Sequence, residues 1–369
     1  LKQNEKVKIV ELFAGIGSQY KALKNINVLV EVVGISEWDI NCLISYNHIH
    51  HTPTEITLTK EEIIEKLKDF TFSNNTKTKC ELSKLPLKKL RLLYDAHINN
   101  KNLGSVVDLN GINMPQHDLL TYSFPCQDLS IQGKKKGLYA GERSSLLWQV
   151  GRILTELKGL DKLPNYLLME NVPGIYSEQN KAGFDDWKKM LTDLGYTNYD
   201  FKLRSTYFDV PQSRDRVYMV STLLGHYDVP KEVNFTTKTI KDILDLNDER
   251  WLDFTGFLPE PIVFRTSRNN IKKFDLIGKY KFETLGRIYS QDGVSPTLTT
   301  GIAGKVYIDG KIRFLNGREC YKLMGFTDQD VDNVLKVFDE GTLVKQAGNS
   351  IVVNVLEGIF TNLFKNNGN

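Results

Sequence analysis

A repeated alternation of short apolar runs with helical stretches constrains this chain more than any other feature. The run Val7-Lys8-Ile9-Val10-Glu11-Leu12-Phe13 is rich in β-branched residues and ends in Ala14-Gly15-Ile16-Gly17. That pattern predicts a strand closed by a tight turn. Ser18 to Lys24 continues as a helix, and a second strand, Val28 to Ile35, ends at Ser36-Glu37-Trp38. Further apolar runs lie at Ser105 to Leu109, Leu119 to Ser123, Tyr166 to Met169 and Val217 to Ser221. Helical stretches such as Leu146 to Leu157 and Phe184 to Leu194 separate them. Strands alternating with helices predict a parallel α/β sheet covered on both faces.

Three segments break this rhythm. Thr59-Lys60-Glu61-Glu62 has the form of a capping box opening a helix through Phe70, and a second helix is expected over Lys88 to Ile98. From Thr222 to Leu285 the chain is polar with little periodicity. Basic and amide residues gather there at Arg265, Arg268, Asn269, Asn270, Lys272 and Lys273. Beyond it, Gln346-Ala347-Gly348-Asn349-Ser350 starts an apolar-periodic helix, Ile351 to Phe364, with Asn349 or Ser350 as its N-cap. At roughly 150 residues per domain, a chain of 369 implies about two domains. The expected division is a first domain over 1–221 with a helical insertion at about 55–105, a second over 222–340, and a segment, 341–369, returning to the first.

The formal charge of +3, from 48 Lys and Arg against 45 Asp and Glu, is too mild to announce a nucleic-acid binder. Any polyanion site must be a local patch. Such patches exist at Lys134, Lys135, Lys136 and Arg143, at Arg265 to Lys273, and at Lys77 to Arg91. The last reads first as a solvated helical face, with a phosphate-contacting arm as the alternative. No apolar run approaches the roughly 18 residues of a membrane helix. Leu1 to Lys8 lacks a signal-peptide core, and the four cysteines form no CxxC pair. These features point to a cytoplasmic chain with reduced thiols and no structural zinc. His48, His50 and His51 have no acids nearby in sequence, so a surface loop is expected rather than a metal site.

Four constellations carry chemistry. The Gly15–Gly17 turn after the first strand lets backbone approach a nucleotide-like ligand, and Glu37, about 20 residues on, suits ribose hydroxyls. Tyr20 stands where a dinucleotide fingerprint wants a third glycine, which weakens a nicotinamide reading. Trp38 can pack on an adenine. Next, Ser123-Phe124-Pro125-Cys126-Gln127 puts a cysteine at a strand end, followed by a Gly-punctuated basic stretch suited to closing over an anionic substrate. Third, Glu170 follows directly on the strand Tyr166 to Met169, where burial would let it share a proton with a heterocycle. Last, Gln212-Ser213-Arg214-Asp215-Arg216 sets two arginines at alternate positions. Cys126 and Glu170 lie 44 residues apart, as do Glu170 and Arg214, leaving room for one β-α unit each. All three could therefore meet at strand C-termini of one sheet.

With these blocks in order, the chain resembles the DNA (cytosine-5)-methyltransferase family. The matching blocks are Phe13–Gly17, Glu37-Trp38, Pro125-Cys126-Gln127, Glu170-Asn171-Val172, Gln212-x-Arg214-x-Arg216, Ser295-Pro296-Thr297-Leu298-Thr299-Thr300 and Gln346 to Ser350. The insertion at 55–105 and Leu120 to Ser130 look like the CpG-specific enzymes of mollicutes. The resemblance implies a Rossmann-like α/β sheet dependent on S-adenosylmethionine, with a smaller, irregular target-recognition domain. It implies Cys126 as nucleophile on cytosine C6 and Glu170 at N3 and the 4-amino group. Arg214 would hold the O2 carbonyl, and Arg216 would orient the site or pair with Glu170. Cofactor contacts carried over are Phe13, Ala14, Gly15, Ile16, Gly17, Glu37, Trp38, Asp108, Leu109, Pro125, Leu146, Asn349, Ser350 and Ile351, with Asp108 ending the third strand. DNA contacts are Gln127, Ser130, Gln132, Lys134, Arg143, Arg268, Asn269, Arg287, Thr300, Gly301 and Gly304. No metal is implied. The expected partner is double-stranded DNA, bound by a monomer of the bacterial nucleoid, with a restriction endonuclease as a possible companion in the same system. A tRNA cytosine-5 methyltransferase, a non-catalytic DNA-binding module and a nicotinamide oxidoreductase are the alternatives.

Overall fold

The computed structural model describes residues 6–125, 145–280, 283–301 and 303–365. Two compact units emerge. The first comprises Leu1–Leu203, Arg216–Pro230 and Leu356–Asn369; the second comprises Arg204–Asp215 and Lys231–Val355. These boundaries differ from the chain-order expectation. Residues 204–215 and 341–355 belong to the second unit, and the terminal helix Val353–Phe364 passes from one unit to the other.

The first unit holds a six-stranded sheet built from β1 (Val7–Leu12), β2 (Val30–Ser36), β3 (Leu119–Tyr122), β4 (Tyr166–Asn171), β5 (Thr197–Arg204) and β6 (Asp215–Thr222). Its order is β2-β1-β3-β4-β6-β5. β1 to β4 pair in parallel, but β6 runs antiparallel to β4, with Glu170 opposite Tyr218 and Asn171 opposite Val217. The sheet is therefore mixed, not wholly parallel. The cause is connectivity: ten residues join β5 to β6 without the crossover a parallel pair requires. That reversal matters for the site. It lays the first residues of β6 beside the carboxyl end of β4.

Helices Ser145–Gly159 and Glu178–Asp193 supply apolar faces to a core containing Leu12, Tyr122, Leu154, Met169 and Trp187. Trp187 donates its indole N–H to the Tyr122 hydroxyl at 3.2 Å, which satisfies both polar tips inside that core. The run Ser105 to Leu109 is a turn, not a strand. The N–H groups of Asp108 and Leu109 both bond back to the Ser105 carbonyl. Thr59 and Glu62 close the expected capping box, on a helix Lys60–Leu67. Arg91 in helix Leu87–Asn99 donates to the carbonyls of Thr57 and Leu58. Among the described residues no helix is long and apolar enough to cross a membrane.

The second unit carries a sheet of short strands: β7 (Arg265–Thr266), β8 (Lys272–Asp275), β9 (Arg287–Ser290), β10 (Lys305–Ile308) and β11 (Lys311–Phe314), in the order β11-β10-β9-β8-β7. Phe254, Phe274, Leu276, Ile288 and Ile312 form its small core. Helix Glu340–Asn349 then contains most of the block expected to begin a helix, so Gln346 to Asn349 end one helix and the next starts at Val353.

Candidate active site

β1 and β2 deliver the first site. In the order β2-β1-β3, the connections from β1 and β2 diverge between β1 and β3, where α/β sheets open a crevice at their carboxyl ends. There the N–H groups of Phe13 and Ala14 bond to the Ser36 carbonyl at 2.8 and 3.3 Å, so the turn is clamped to β2. Glu37 is buried. One carboxyl oxygen accepts from the Gly15 N–H at 2.8 Å and the other from the Asp39 N–H at 2.7 Å. Two acceptor positions per oxygen leave further capacity for ligand hydroxyls. A side chain at Gly15 would meet nothing within 4 Å, so the turn faces open space. Gly17 has φ +80°, and any Cβ there would collide with His50 and Tyr46.

The histidines depart from expectation. His48 and His50 are buried on helix Ile40–His50, not on a surface loop. His50 Nε2 lies 3.0 Å from the Ile16 carbonyl, so it braces the turn. Tyr46 explains the burial: its hydroxyl donates to Glu11, a fully buried carboxyl on β1. Burial pushes both Glu11 and Glu37 up to about 7, with the Asp39 charge adding to the rise at Glu37. A raised carboxyl favours the folded state while protonated. Its contribution is full below about 4.5 and is lost as pH rises through 7. In urea unfolding these two carboxyls should lower stability between pH 5 and 8, against the opposite slope of His97, which burial holds down at about 4. Glu11→Gln should remove about 2 kcal/mol of that dependence. An unchanged profile in the variant would reject the assignment.

The second cluster sits at the end of β4. Glu170 is buried and pairs with Arg216 Nε at 3.1 Å. The side chains are only 11% and 14% exposed, which excludes the screening that weakens surface pairs. The neighbouring Asn171 donates to the Phe124 carbonyl at 3.1 Å and accepts the Val172 N–H at 2.8 Å. It thereby ties the β4 terminus to the residues that precede Pro125 and Cys126. Nothing in the sequence flagged Asn171 as more than part of a motif. Asn171→Ala should cost about 1–3 kcal/mol, because two buried backbone groups lose these partners. Chemical denaturation with an unchanged m-value is the check.

Arg214 is not employed as expected. It belongs to the second unit and is buried there, with Nη1 donating to the Leu298 carbonyl at 3.1 Å. Nη2 donates to the carbonyls of Gly348 at 3.0 Å and Ser350 at 2.8 Å. Gln212 bonds to Leu323 and receives the Leu298 N–H. Asn349 is exposed, while Ser350 and Ile351 are buried.

The recognition candidates divide. Arg268, Thr300 and Gly301 are exposed, and Gly304 packs near Tyr289. Asn269 accepts from Arg204 and donates to Ser213, so its amide serves the second unit's own structure. Arg287 donates through Nε to Asp275 at 3.1 Å, a directly opposed cross-strand pair. Among the cofactor candidates, Asp108 is exposed at a turn, Leu109 is buried, and Trp38, Pro125 and Leu146 are half-buried. Cys126, Gln127, Ser130, Gln132, Lys134 and Arg143 lie outside the described residues.

The profile of the C-5 cytosine-specific DNA methylase family matches residues 70–365. The orphan methyltransferase M.SssI of Spiroplasma monobiae is 35% identical, covering 97% of both chains. The type II methyltransferase M2.ScrFI of Lactococcus lactis subsp. cremoris is 36% identical, over 97% of this chain and 99% of its own. The S. pombe Dnmt2 methyltransferase structure is 20% identical with a TM-score of 0.60, covering 99% of this chain and 100% of its own, a likeness of fold. The chain therefore belongs to the C-5 cytosine-specific DNA methylase family, as a DNA methyltransferase dependent on S-adenosylmethionine.

Proposed function

We propose that this enzyme takes a target cytosine out of duplex DNA and methylates C5 through a covalent adduct between Cys126 and C6, at CpG. The observation that carries the reading is the buried Glu170–Arg216 pair, bonded through neighbouring Asn171 to the residues before Pro125-Cys126. The Cys126 thiolate adds to C6, the C5–C6 π pair shifts to C4–C5, and the C4–N3 π pair moves onto N3. Glu170 shares a proton at N3 and so offsets the growing negative charge. Arg216 holds Glu170 and takes over the O2 carbonyl contact expected of Arg214. S-adenosylmethionine, when bound, supplies an electrophilic methyl group for C5. A base then removes the C5 proton, the C5–C6 double bond re-forms, and Cys126 leaves.

The residues fit that cofactor. The open turn at Gly15 and the buried Glu37 carboxyl suit a nucleoside with free ribose hydroxyls. Phe13, Ala14, Ile16, Gly17, Trp38, Asp108, Leu109, Pro125 and Leu146 complete the proposed contacts in the first unit. Asn349, Ser350 and Ile351 are carried over as cofactor contacts on the family resemblance alone. The second unit serves as target-recognition domain, with Arg287 reading guanine and Thr300 to Gly304 beside it. Base extraction costs a few kcal/mol, which the proposed DNA contacts of Ser130, Gln132, Lys134 and Arg143 offset. The resemblance to mollicute CpG enzymes, with a Spiroplasma relative matching end to end, supports CpG.

Bisulfite sequencing of a random duplex library, beside labelled methyl transfer to tRNA, tests the proposal. Methylation confined to cytosines followed by guanine is the expected result. Labelling of tRNA alone, or no dependence on the guanine, overturns it.

A further inference from the structure

Arg214 was legible in the sequence as a catalytic candidate, yet all the hydrogen bonds described for its guanidinium go to backbone carbonyls of its own unit. Those carbonyls lie in two segments far apart in sequence. Leu298 leads into Thr299 and Thr300, whereas Gly348 and Ser350 flank Asn349. The two segments are also in direct contact. A Cβ at Gly348 would fall 2.5 Å from both the carbonyl carbon and oxygen of Thr299, and 2.7 Å from the Thr300 nitrogen. Only glycine lets the backbones approach so closely.

Leu298 is held on its other side too. Its N–H donates to Gln212 at 3.0 Å, and Thr297 donates its hydroxyl to the Ser213 carbonyl at 2.7 Å. Ser295 and Pro296 pair in register with Gln212 and Ser213. The short stretch Gln212-Ser213-Arg214 is thus a hub for both segments.

We infer that Arg214 is a positioning residue that couples cofactor occupancy at Asn349–Ile351 to the conformation of the recognition segment Leu298–Gly301. This rests on the proposed assignment of those segments to cofactor and DNA. The physical basis is the guanidinium itself. It is planar and presents its donors in a fixed fork, so shifting one set of carbonyls re-aims the donors serving the other. Its burial makes every lost bond costly, which favours the two segments moving together. Gly348 adds a steric link, because the backbone at Thr299 cannot stay in place if Gly348 advances. Linkage then requires reciprocity: a ligand at Asn349 that tightens DNA binding must itself be bound more tightly in the presence of DNA.

The test is a pair of binding titrations on the full chain, using S-adenosylhomocysteine and a CpG duplex at fixed salt. In the wild type, S-adenosylhomocysteine should tighten DNA binding by a factor of about 5 or more. In Arg214→Lys one nitrogen replaces the two that the guanidinium fork holds apart, so its donors cannot reach both the Leu298 carbonyl served by Nη1 and the Gly348 and Ser350 carbonyls served by Nη2. The factor should fall below about 2, while each ligand alone binds within about 3-fold of wild type. Gly348→Ala should lower the factor likewise, and it decides the matter if the lysine variant does not fold. A wild-type coupling factor in either folded variant, or a factor near 1 in the wild type, overturns the inference. Unchanged S-adenosylhomocysteine affinity in Asn349→Ala, or unchanged DNA affinity in Thr300→Ala, instead overturns the segment assignments beneath it.

Discussion

Glu170→Gln is expected to lower kcat by about 10²–10³-fold while DNA binding stays within several-fold. Glutamine keeps the shape and one acceptor but cannot exchange a proton with N3, so the loss belongs to the chemical step. Arg216→Met should act differently. It takes the Arg216 charge away from the Glu170 carboxyl in a site where that side chain is only 11% exposed. Removing one partner of such a pair costs about 3–5 kcal/mol at full burial, so a lower melting temperature should accompany the activity loss. The double variant Glu170→Gln/Arg216→Met should regain much of the stability and none of the activity. Single-turnover transfer from labelled S-adenosylmethionine and thermal melts read the two effects separately. A contrast with Arg214→Lys sharpens the assignment: Arg216→Lys should slow the chemical step, whereas Arg214→Lys should act on coupling between ligands. Full kcat in Glu170→Gln would remove this carboxyl from the mechanism.

The two arginines show what sequence could and could not disclose. Their alternate spacing was plain, and so was the presence of a carboxylate 44 residues before Arg214. Which arginine meets Glu170 depends on the register and direction of β6, and neither is encoded locally. β5 was invisible because its half-exposed residues give a weak apolar signal, and without β5 the reversal of β6 has no cause. Features set within a few residues were legible. The Gly15–Gly17 turn and the Thr59–Glu62 capping box depend on backbone conformation and near neighbours alone. The histidines misled for the opposite reason. His50 is buried by Ile16 and Tyr46, contacts that exist only after helix and turn have met. Asn269 looked like a reader of DNA because an amide among basic residues has that look. Its partners, Arg204 and Ser213, lie more than 50 residues away.

Arg313→Met should destabilise the second unit by about 3–5 kcal/mol. Arg313 on β11 is 1% exposed and grips Glu319, which is fully buried, through Nη1 at 2.9 Å and Nη2 at 2.6 Å. Glu319 also accepts the N–H groups of Asn316 and Asp245, each at 2.8 Å, so one carboxylate joins a strand, a helix cap and a distant loop. The strands of this unit are two to four residues long, and their apolar core is small. Such a sheet has little hydrophobic pattern to fix its register, which is why its sequence read as irregular. A buried pair bound on several sides supplies that specification instead. Glu319→Gln in the Arg313→Met background should recover part of the loss, because it removes the unpaired buried charge, while the single amide oxygen still accepts only one of the two backbone N–H groups that the two carboxylate oxygens received. Urea denaturation at constant m-value reads all three proteins. A cost below about 1 kcal/mol for Arg313→Met would show that short-strand packing holds this unit without the pair.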